Sequence, residues 1–205
     1  RTFSSAASDV YKRQEENVWG DPKCTRTINK KYGPHGIDLI KRNDGRYQLG
    51  VINHYPDESV EMFEMIKKEN SWDMVWRGCI DVPYEFYFND ISLRKNGGFY
   101  ASHMYDREIT LNKWLFVSII KSDTGFLVEW IENRFKKIVG SDGSGPNGIA
   151  LDEDSNIIYI NYNQGDSITK FDLSLNKKLD KKFIEAPDNP YICLLYTSDA
   201  ADEKV

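Results

Sequence analysis

The fold is decided by a short phrase that occurs four times: Pro-His-Gly-Ile-Asp-Leu at 34–39, Phe-Asn-Asp-Ile-Ser-Leu at 88–93, Pro-Asn-Gly-Ile-Ala-Leu at 146–151 and Pro-Asp-Asn-Pro-Tyr-Ile at 187–192. Each copy begins with a small polar tip and continues with apolar residues, the pattern of a partly buried β-strand. The copies recur roughly every 40 to 60 residues, close to the period of propeller blades that carry loop insertions. The four polar tips are therefore predicted to lie around one central axis.

Strands and turns also fill the stretches between these copies. Asn43-Asp44-Gly45 separates two apolar runs, and an Asp-Gly pair in this position indicates a β-hairpin. The sequence therefore predicts an all-β fold, a partial β-propeller of about four blades. The exception is 106–120, which has apolar residues at helical spacing and predicts one inserted helix. We expect this helix to pack over the propeller mouth. A lid or a membrane-contacting helix is the alternative, and about fifteen residues are too few to span a bilayer.

The two ends of the chain are expected to be non-native. Residues 4–14 and 193–203 can be encoded by one stretch of DNA read on opposite strands, and that DNA resembles a transposase adapter used in sequencing libraries. We therefore expect residues 1–14 and 193–205 to be adapter-derived. The segment 15–192 is then expected to be a fragment of a single β-propeller domain.

Composition and cysteine content exclude few classes of function. The chain has 27 basic and 32 acidic residues and a net charge of -5, so no basic surplus points to nucleic acid as a partner. Within the expected native segment the cysteines are Cys24 and Cys79. Two thiols without metal-ligand spacing fit either free core residues or a single disulfide, and we expect free thiols.

The chain has three histidines, His35, His54 and His103, and each falls at a predicted strand end. A lone histidine in such a place is usually a hydrogen-bonded structural residue. His35, however, opens the hairpin that His54 closes, so both are expected at the same end of one blade. This pairing favours a catalytic role for these two. His103 is a weaker candidate, expected only as a pocket wall.

Side chains with oxygen donors occupy the equivalent polar tips of the repeated phrase. They are Asn89, Asn147, Asp188 and Asn189. Calcium takes 6 to 8 oxygen ligands, and mixed carboxylate and amide oxygens suit a hard divalent cation better than zinc. Asn and Asp also start turns through their side-chain hydrogen bonds, which explains any single one of them without a metal. Their repetition in successive blades favours a metal site.

Taken together, these motifs resemble the paraoxonase/arylesterase branch of the calcium-dependent six-bladed propellers, a superfamily that also includes gluconolactonases and senescence marker proteins. The resemblance is carried by His35 with His54 and by the segments at 88–91, 146–149 and 188–189. It extends from about residue 33 to residue 192. The linked motifs are far more specific than any one of them alone.

The resemblance implies a set of roles for individual residues. A catalytic calcium ion would be bound by four side chains, Asn89, Asn147, Asp188 and Asn189. Asp90 and the backbone carbonyl of Ile37 would help to hold a second, structural calcium ion. His35 would act as general base on a water molecule, with His54 behind it. The family's first metal ligands, an adjacent acidic pair in the opening blade, have no counterpart in this sequence.

The function expected from the resemblance is that of an enzyme, a carboxylic-ester hydrolase acting on small-molecule lactones or aryl esters. One alternative is a sugar-lactone hydrolase of the gluconolactonase type, which needs a more polar pocket. Another is a non-catalytic binding propeller in which the asparagines serve only turns. Aromatic residues near the predicted strand ends mildly favour an apolar ester or lactone; they include Tyr55, Tyr84, Phe86 and Trp114.

Overall fold

The structure is a computed structural model that describes residues 19–24 and 32–192. The segments expected to be adapter-derived, 1–14 and 193–205, lie outside these residues. The described part of the chain contains twelve β-strands and one α-helix. The prediction of an all-β fold with one inserted helix is therefore confirmed.

The strands form three four-stranded antiparallel sheets, each running up and down in chain order. The first sheet consists of β1 (Pro34–Lys41), β2 (Tyr47–Asn53), β3 (Ser59–Lys67) and β4 (Trp72–Asp81). The second consists of β5 (Phe88–Leu93), β6 (Phe99–His103), β7 (Phe126–Ile131) and β8 (Arg134–Lys137). The third consists of β9 (Pro146–Asp152), β10 (Ile157–Tyr162), β11 (Ser167–Asp172) and β12 (Lys177–Phe183). The first three copies of the repeated phrase form β1, β5 and β9, the opening strand of each sheet.

The predicted Asp-Gly hairpin joins the first two strands, with Lys41 opposite Tyr47. Gly45 in this turn has φ of 85°, in the left-handed region that glycine adopts without steric cost. The corresponding turn of the second sheet uses Gly97 with φ of 98°. The same local chemistry therefore closes the opening hairpin of two sheets.

The three sheets meet through their opening strands, since β1 contacts β5 and β5 contacts β9. This arrangement places the sheets as successive blades of a partial β-propeller. Two carboxylates bridge the blades. The Leu93 N–H donates to Asp38 Oδ2 at 2.7 Å, and the Ile149 N–H donates to Asp90 Oδ2 at 2.8 Å. Inner-strand N–H groups that face the neighbouring blade are thereby satisfied.

The hydrophobic core lies between adjacent blades. One cluster joins the first and second blades and includes Ile52, Phe88 and Phe99, all fully buried. A second cluster joins the second and third blades and includes Leu127 and Ile158. Each large apolar side chain buried in this way contributes roughly 1.5–3 kcal/mol to folding.

The glycine of the repeated phrase has a packing role. A Cβ placed on Gly36 would lie 2.5 Å from the backbone oxygen of Asn89 in the next blade. A Cβ placed on Gly148 would lie 2.3 Å from the backbone oxygen of Asp188. Only glycine therefore allows the opening strands to come this close to the polar tips that follow them.

The inserted helix, α1 (Leu111–Ile119), is shorter than the predicted 106–120, and Thr110 caps its first turn. None of its residues is buried, and Leu111 and Ile119 are 70% and 78% exposed. Its packing over the propeller mouth stays a prediction. Among the described residues, no helix combines the length and the apolar character needed to cross a bilayer.

Cys24 and Cys79 form a disulfide with Cα atoms 5.7 Å apart, so the expectation of free thiols is wrong. The Cys24 segment runs along the edge of β4. The Trp19 N–H donates to the Arg77 carbonyl, and the Asp21 N–H donates to the Cys79 carbonyl. Cysteine spacing alone could not reveal this pairing. A bridge between cysteines 55 positions apart restricts the unfolded chain and adds about 4 kcal/mol of stability in the chain-entropy model.

The fourth copy of the repeated phrase, 187–192, was predicted to begin another blade. It contains no strand, so the described residues hold three blades rather than about four. Pro187 occupies the position of Pro34 and Pro146, which begin β1 and β9, but this copy also has Pro190, which has no N–H to donate to a ladder. The total of six blades stays a prediction.

We predict that Gly148→Ala lowers the free energy of unfolding by about 1–3 kcal/mol, the usual range for overpacking, because its Cβ would meet a backbone oxygen. Gly50→Ala is the matched control. A Cβ there meets the end of the Leu93 side chain at 2.8 Å, and this end can move. Urea denaturation followed by tryptophan fluorescence measures both variants, and equal midpoints for the two would contradict the packing role.

Candidate active site and metal centre

A pair of histidines lies at one end of the first blade. His35 is near the start of β1, and His54 directly follows β2. Because these strands are antiparallel, Pro34 lies opposite Asn53 and the two histidines become neighbours. His35 Nδ1 and His54 Nε2 are 3.0 Å apart, a hydrogen bond. The sequence therefore located this contact correctly.

A buried asparagine shapes the loop that carries His54. Asn53 is fully buried, and its Oδ1 accepts the Gly33 N–H at 2.9 Å. Its Nδ2 donates to the carbonyl of Tyr55 at 2.9 Å and to that of Asp57 at 3.2 Å. One side chain therefore ties the loop after β2 to the residue that precedes β1. This fixes the position of His54.

Two further side chains hold the His54 ring, and the sequence analysis missed both. The Glu58 carboxylate lies with its two oxygens 2.8 and 2.9 Å from His54 Nδ1. The Tyr87 ring stacks on the His54 ring, with ring centroids 4.7 Å apart and an interplanar angle of 13°. The four-residue step from His54 to Glu58 was visible in the sequence. Nothing in the sequence indicated that the loop would fold the carboxylate back onto the ring.

The electrostatics of His35 suit a base rather than a permanent cation. Partial desolvation lowers the pKa of His35 below its ordinary value, and the adjacent His54 lowers it further. Asp188 and Glu58 act in the opposite direction. The net direction favours the neutral imidazole, which has a lone pair available to accept a proton.

A central cavity of about 660 Å³ opens beside this pair. It is lined by six of the residues predicted for the site: His35, Ile37, Asn89, Asp90, Asp188 and Asn189. The two remaining candidates for catalysis or metal binding do not line it, and neither does His103. His54 lies behind His35, and Asn147 lies in β9. The structure thus brings together side chains from three separate parts of the chain, while their roles stay a prediction.

The segment that carries Asp188 is not a strand, so side chains of β10 and the turn after it hold it in place. Asn161 Nδ2 donates to the Asp188 carbonyl, and Asn163 Nδ2 donates to the Pro187 carbonyl at 3.2 Å. The close approach at Gly148 completes the contact. These bonds position Asp188 and Asn189 at the cavity without a β-ladder.

The donor set fits a hard cation such as calcium. Asn147 Oδ1 is buried and has no hydrogen-bond partner, an arrangement that leaves an oxygen available as a ligand. Asn89 uses its amide nitrogen on Met104 Sδ at 3.5 Å, so its oxygen remains for the cavity. Burial raises the pKa of Asp90 to about 6, and a nearby cation would offset the cost of its charge.

A site made only of ionisable ligands is absent from the described residues. Within 19–24 and 32–192, no group of three or more His, Cys, Asp or Glu side chains is arranged to hold a metal ion. The candidate centre instead consists largely of amide oxygens.

His103 is a structural residue rather than a wall of the central cavity. It is 5% exposed, its ring packs on Phe126 with centroids 4.7 Å apart, and its Nδ1 accepts the Tyr87 N–H at 2.9 Å. Desolvation lowers the pKa of His103 to about 4. It therefore supports the Tyr87 backbone, whose ring stacks on His54.

A protein-family model described as Arylesterase matches residues 22–185, which is more than half of the chain. This match spans all three blades. The comparison with curated proteins gave no match.

Several solved structures resemble the chain at low identity. The WD40 domain of SCAP from fission yeast is 8% identical with a TM-score of 0.40, and the match covers 81% of this chain and 37% of that one. A luciferin-regenerating enzyme is 13% identical with a TM-score of 0.41, covering 77% and 48%. AztD from Citrobacter koseri is 12% identical with a TM-score of 0.36, covering 78% and 35%. The chain thus spans less than half the length of each, and these likenesses carry no conclusion about function.

We predict a specific pH dependence of stability from His103. Its pKa of about 4 in the folded protein lies below its ordinary value of 6.5, so the folded state binds this proton more weakly than the unfolded chain does. Stability from this group is complete above pH 6.5 and is lost as the pH falls, by about 3 kcal/mol at pH 4. His103→Gln keeps an acceptor for the Tyr87 N–H and removes the titration.

Urea denaturation at pH 7 and pH 4 measures the effect. The variant should lose less stability between these two values than the parent does. Between pH 7 and pH 8 the two proteins should change in parallel, which serves as the internal control. Equal losses on acidification would contradict the assignment of a neutral, buried His103.

Proposed function

The chain belongs to the arylesterase family, and from that premise we propose that the whole protein is a calcium-dependent carboxylic-ester hydrolase acting on lactones or aryl esters. Membership of the family supports the general class, ester hydrolysis. One observation supports the specific proposal most directly. It is the His35–His54 pair at 3.0 Å beside a cavity lined by amide and carboxylate oxygens.

In this proposal His35 takes a proton from a water molecule in the cavity. The lowered pKa keeps the imidazole neutral at pH 7, so it can act as a general base. His54 contacts His35 through one ring nitrogen and the Glu58 carboxylate through the other. It therefore orients His35. The oxygen of the activated water then bonds to the carbonyl carbon of the ester while the C=O π pair moves onto the carbonyl oxygen. When this pair returns, the bond to the leaving oxygen breaks, and that oxygen takes the proton from His35.

The proposed metal ligands divide into two sets. The catalytic ion would be bound by four side chains, Asn89, Asn147, Asp188 and Asn189. A second, structural ion would be bound by Asp90 and the Ile37 carbonyl. A calcium ion in the first set supplies a Lewis acid that polarises the substrate carbonyl and favours the charge developing on its oxygen. The unpartnered Asn147 oxygen supports this proposal.

The surroundings of the histidine pair support an apolar or aromatic substrate. Tyr87 stacks on His54, and Tyr105 stacks on Tyr87 with centroids 5.4 Å apart. His54, Tyr87 and Tyr105 therefore form a stack of three rings next to His35. Such a stack suits an aryl ester or an apolar lactone better than the many hydroxyl groups of a sugar lactone.

We predict that the whole protein hydrolyses phenyl acetate or members of a lactone panel, and that His35→Gln lowers the rate roughly 100- to 10,000-fold, the usual contribution of a general base. A calcium chelator should abolish the activity, and added calcium should restore it. Glu85→Gln, at an exposed position before β5, is the control and should keep full activity. A protein indifferent to both His35→Gln and the chelator is not the proposed enzyme.

Calcium binding can be tested separately from hydrolysis. We predict that calorimetric titration detects binding to the whole protein and that Asn147→Ala weakens it at least about tenfold, or about 1.4 kcal/mol. Asn96→Ala is the matched control, because Asn96 serves a turn, where its Oδ1 accepts the Gly98 N–H at 3.0 Å. Absence of binding, or equal effects of the two variants, would favour a non-catalytic binding propeller.

A further inference from the structure

We propose that Glu58 is a positioning residue that completes a directional chain, Glu58–His54–His35, and so determines which nitrogen of His35 is free to act as the base. This inference rests on the proposed function, since it assigns a role within the same site. It differs from that proposal because it concerns how the pair is oriented.

The direction of the chain follows from hydrogen-bond chemistry. A carboxylate accepts hydrogen bonds and does not donate them. With both Glu58 oxygens within 2.9 Å of His54 Nδ1, that nitrogen must carry a proton. Whenever the His54 ring carries a single proton, that proton therefore lies on Nδ1, and the other nitrogen, Nε2, is an acceptor.

The same reasoning extends to the next ring. Since His54 Nε2 accepts, the 3.0 Å contact requires that His35 Nδ1 is the donor. A neutral imidazole carries one N–H, so His35 Nε2 keeps its lone pair. A pair of histidines without the carboxylate could form this contact in either direction. One direction would leave His35 Nε2 protonated and unable to accept a proton.

Glu58 is held firmly enough to impose this direction. Its side chain is 7% exposed, and its backbone carbonyl accepts the Val82 N–H at 3.1 Å. Asn53 closes the loop between His54 and Glu58 through its bonds to two loop carbonyls. The Tyr87 ring fixes the plane of the imidazole. The carboxylate and the ring are thus constrained independently of each other.

The arrangement also balances charge during the reaction. When water gives a proton to His35 Nε2, the O–H bond breaks and an N–H bond forms. The water oxygen bonds to the substrate carbonyl carbon as the C=O π pair moves onto the carbonyl oxygen. His35 becomes an imidazolium whose other N–H already points along the chain toward a carboxylate. Exposed ion pairs contribute little to stability. The role assigned to the largely buried Glu58 carboxylate is to orient the two imidazole rings.

The test is Glu58→Gln in the whole protein, because glutamine has the same shape, lacks the charge and can either donate or accept. Imidazole ¹⁵N NMR reads the tautomers of the three histidines directly, and His54→Gln assigns the His54 signals. We expect His54 protonated at Nδ1 in the parent protein and a mixture of tautomers in the variant. We expect kcat to fall about 10- to 100-fold, as for loss of other supporting partners, with KM within about twofold.

Controls separate this role from a structural one. Glu85→Gln should leave tautomer and kcat unchanged, and Glu58→Gln should leave calcium affinity unchanged. Unchanged tautomer or unchanged kcat in Glu58→Gln overturns the proposal. So does a parent His54 protonated at Nε2, a result that requires no variant to fold. If His35→Gln keeps full activity, the proposed function fails, while the NMR result still decides whether Glu58 directs the chain.

Discussion

The contact between the opening strands of successive blades is the constraint on which the rest of the structure depends. Gly36 and Gly148 allow backbones to approach where any side chain would collide with a carbonyl oxygen. Asp38 and Asp90 then bridge the blades by accepting N–H groups from the neighbouring strand. Without this close approach, the polar tips of the repeated phrase would lie too far apart to line one cavity. The close approach of the opening strands therefore determines both the packing of the blades and the position of the candidate site residues.

The hairpin of the first blade adds a second constraint of the same kind. An antiparallel pair places the start of one strand beside the end of the other. His35 and His54 therefore meet, although they are separated in the sequence by most of β1 and β2. Asn53 then folds the following loop back toward them. The loop thus delivers Glu58 to the far side of the ring. Each of these contacts depends on the backbone geometry that the preceding contact establishes.

The sequence predicted those parts of the molecule whose signal is local or repeated. The three opening strands and the Asp-Gly hairpin follow from alternation and turn chemistry, and the histidine pair follows from the hairpin. β12 was missed because its lysine-rich sequence has no buried face, and all its residues are exposed. The Cys24–Cys79 bridge and the Glu58 contact were missed because both depend on tertiary folding of irregular segments. The fourth copy shows the opposite error. It matches the repeated phrase, but it does not form the strand that the phrase predicts.

Two polar side chains at the centre of the blades, Asn147 and Asp90, are costly to bury. An asparagine oxygen buried without a partner destabilises a fold, and a buried carboxylate with a raised pKa does so as well. An apolar residue at position 147 would avoid the cost of the unpartnered oxygen, whereas Asp90 also satisfies the Ile149 N–H. The surrounding blades offset this cost through fully buried side chains such as Phe88 and Ile158. This balance agrees with the proposed function, in which a bound cation would supply the missing interactions.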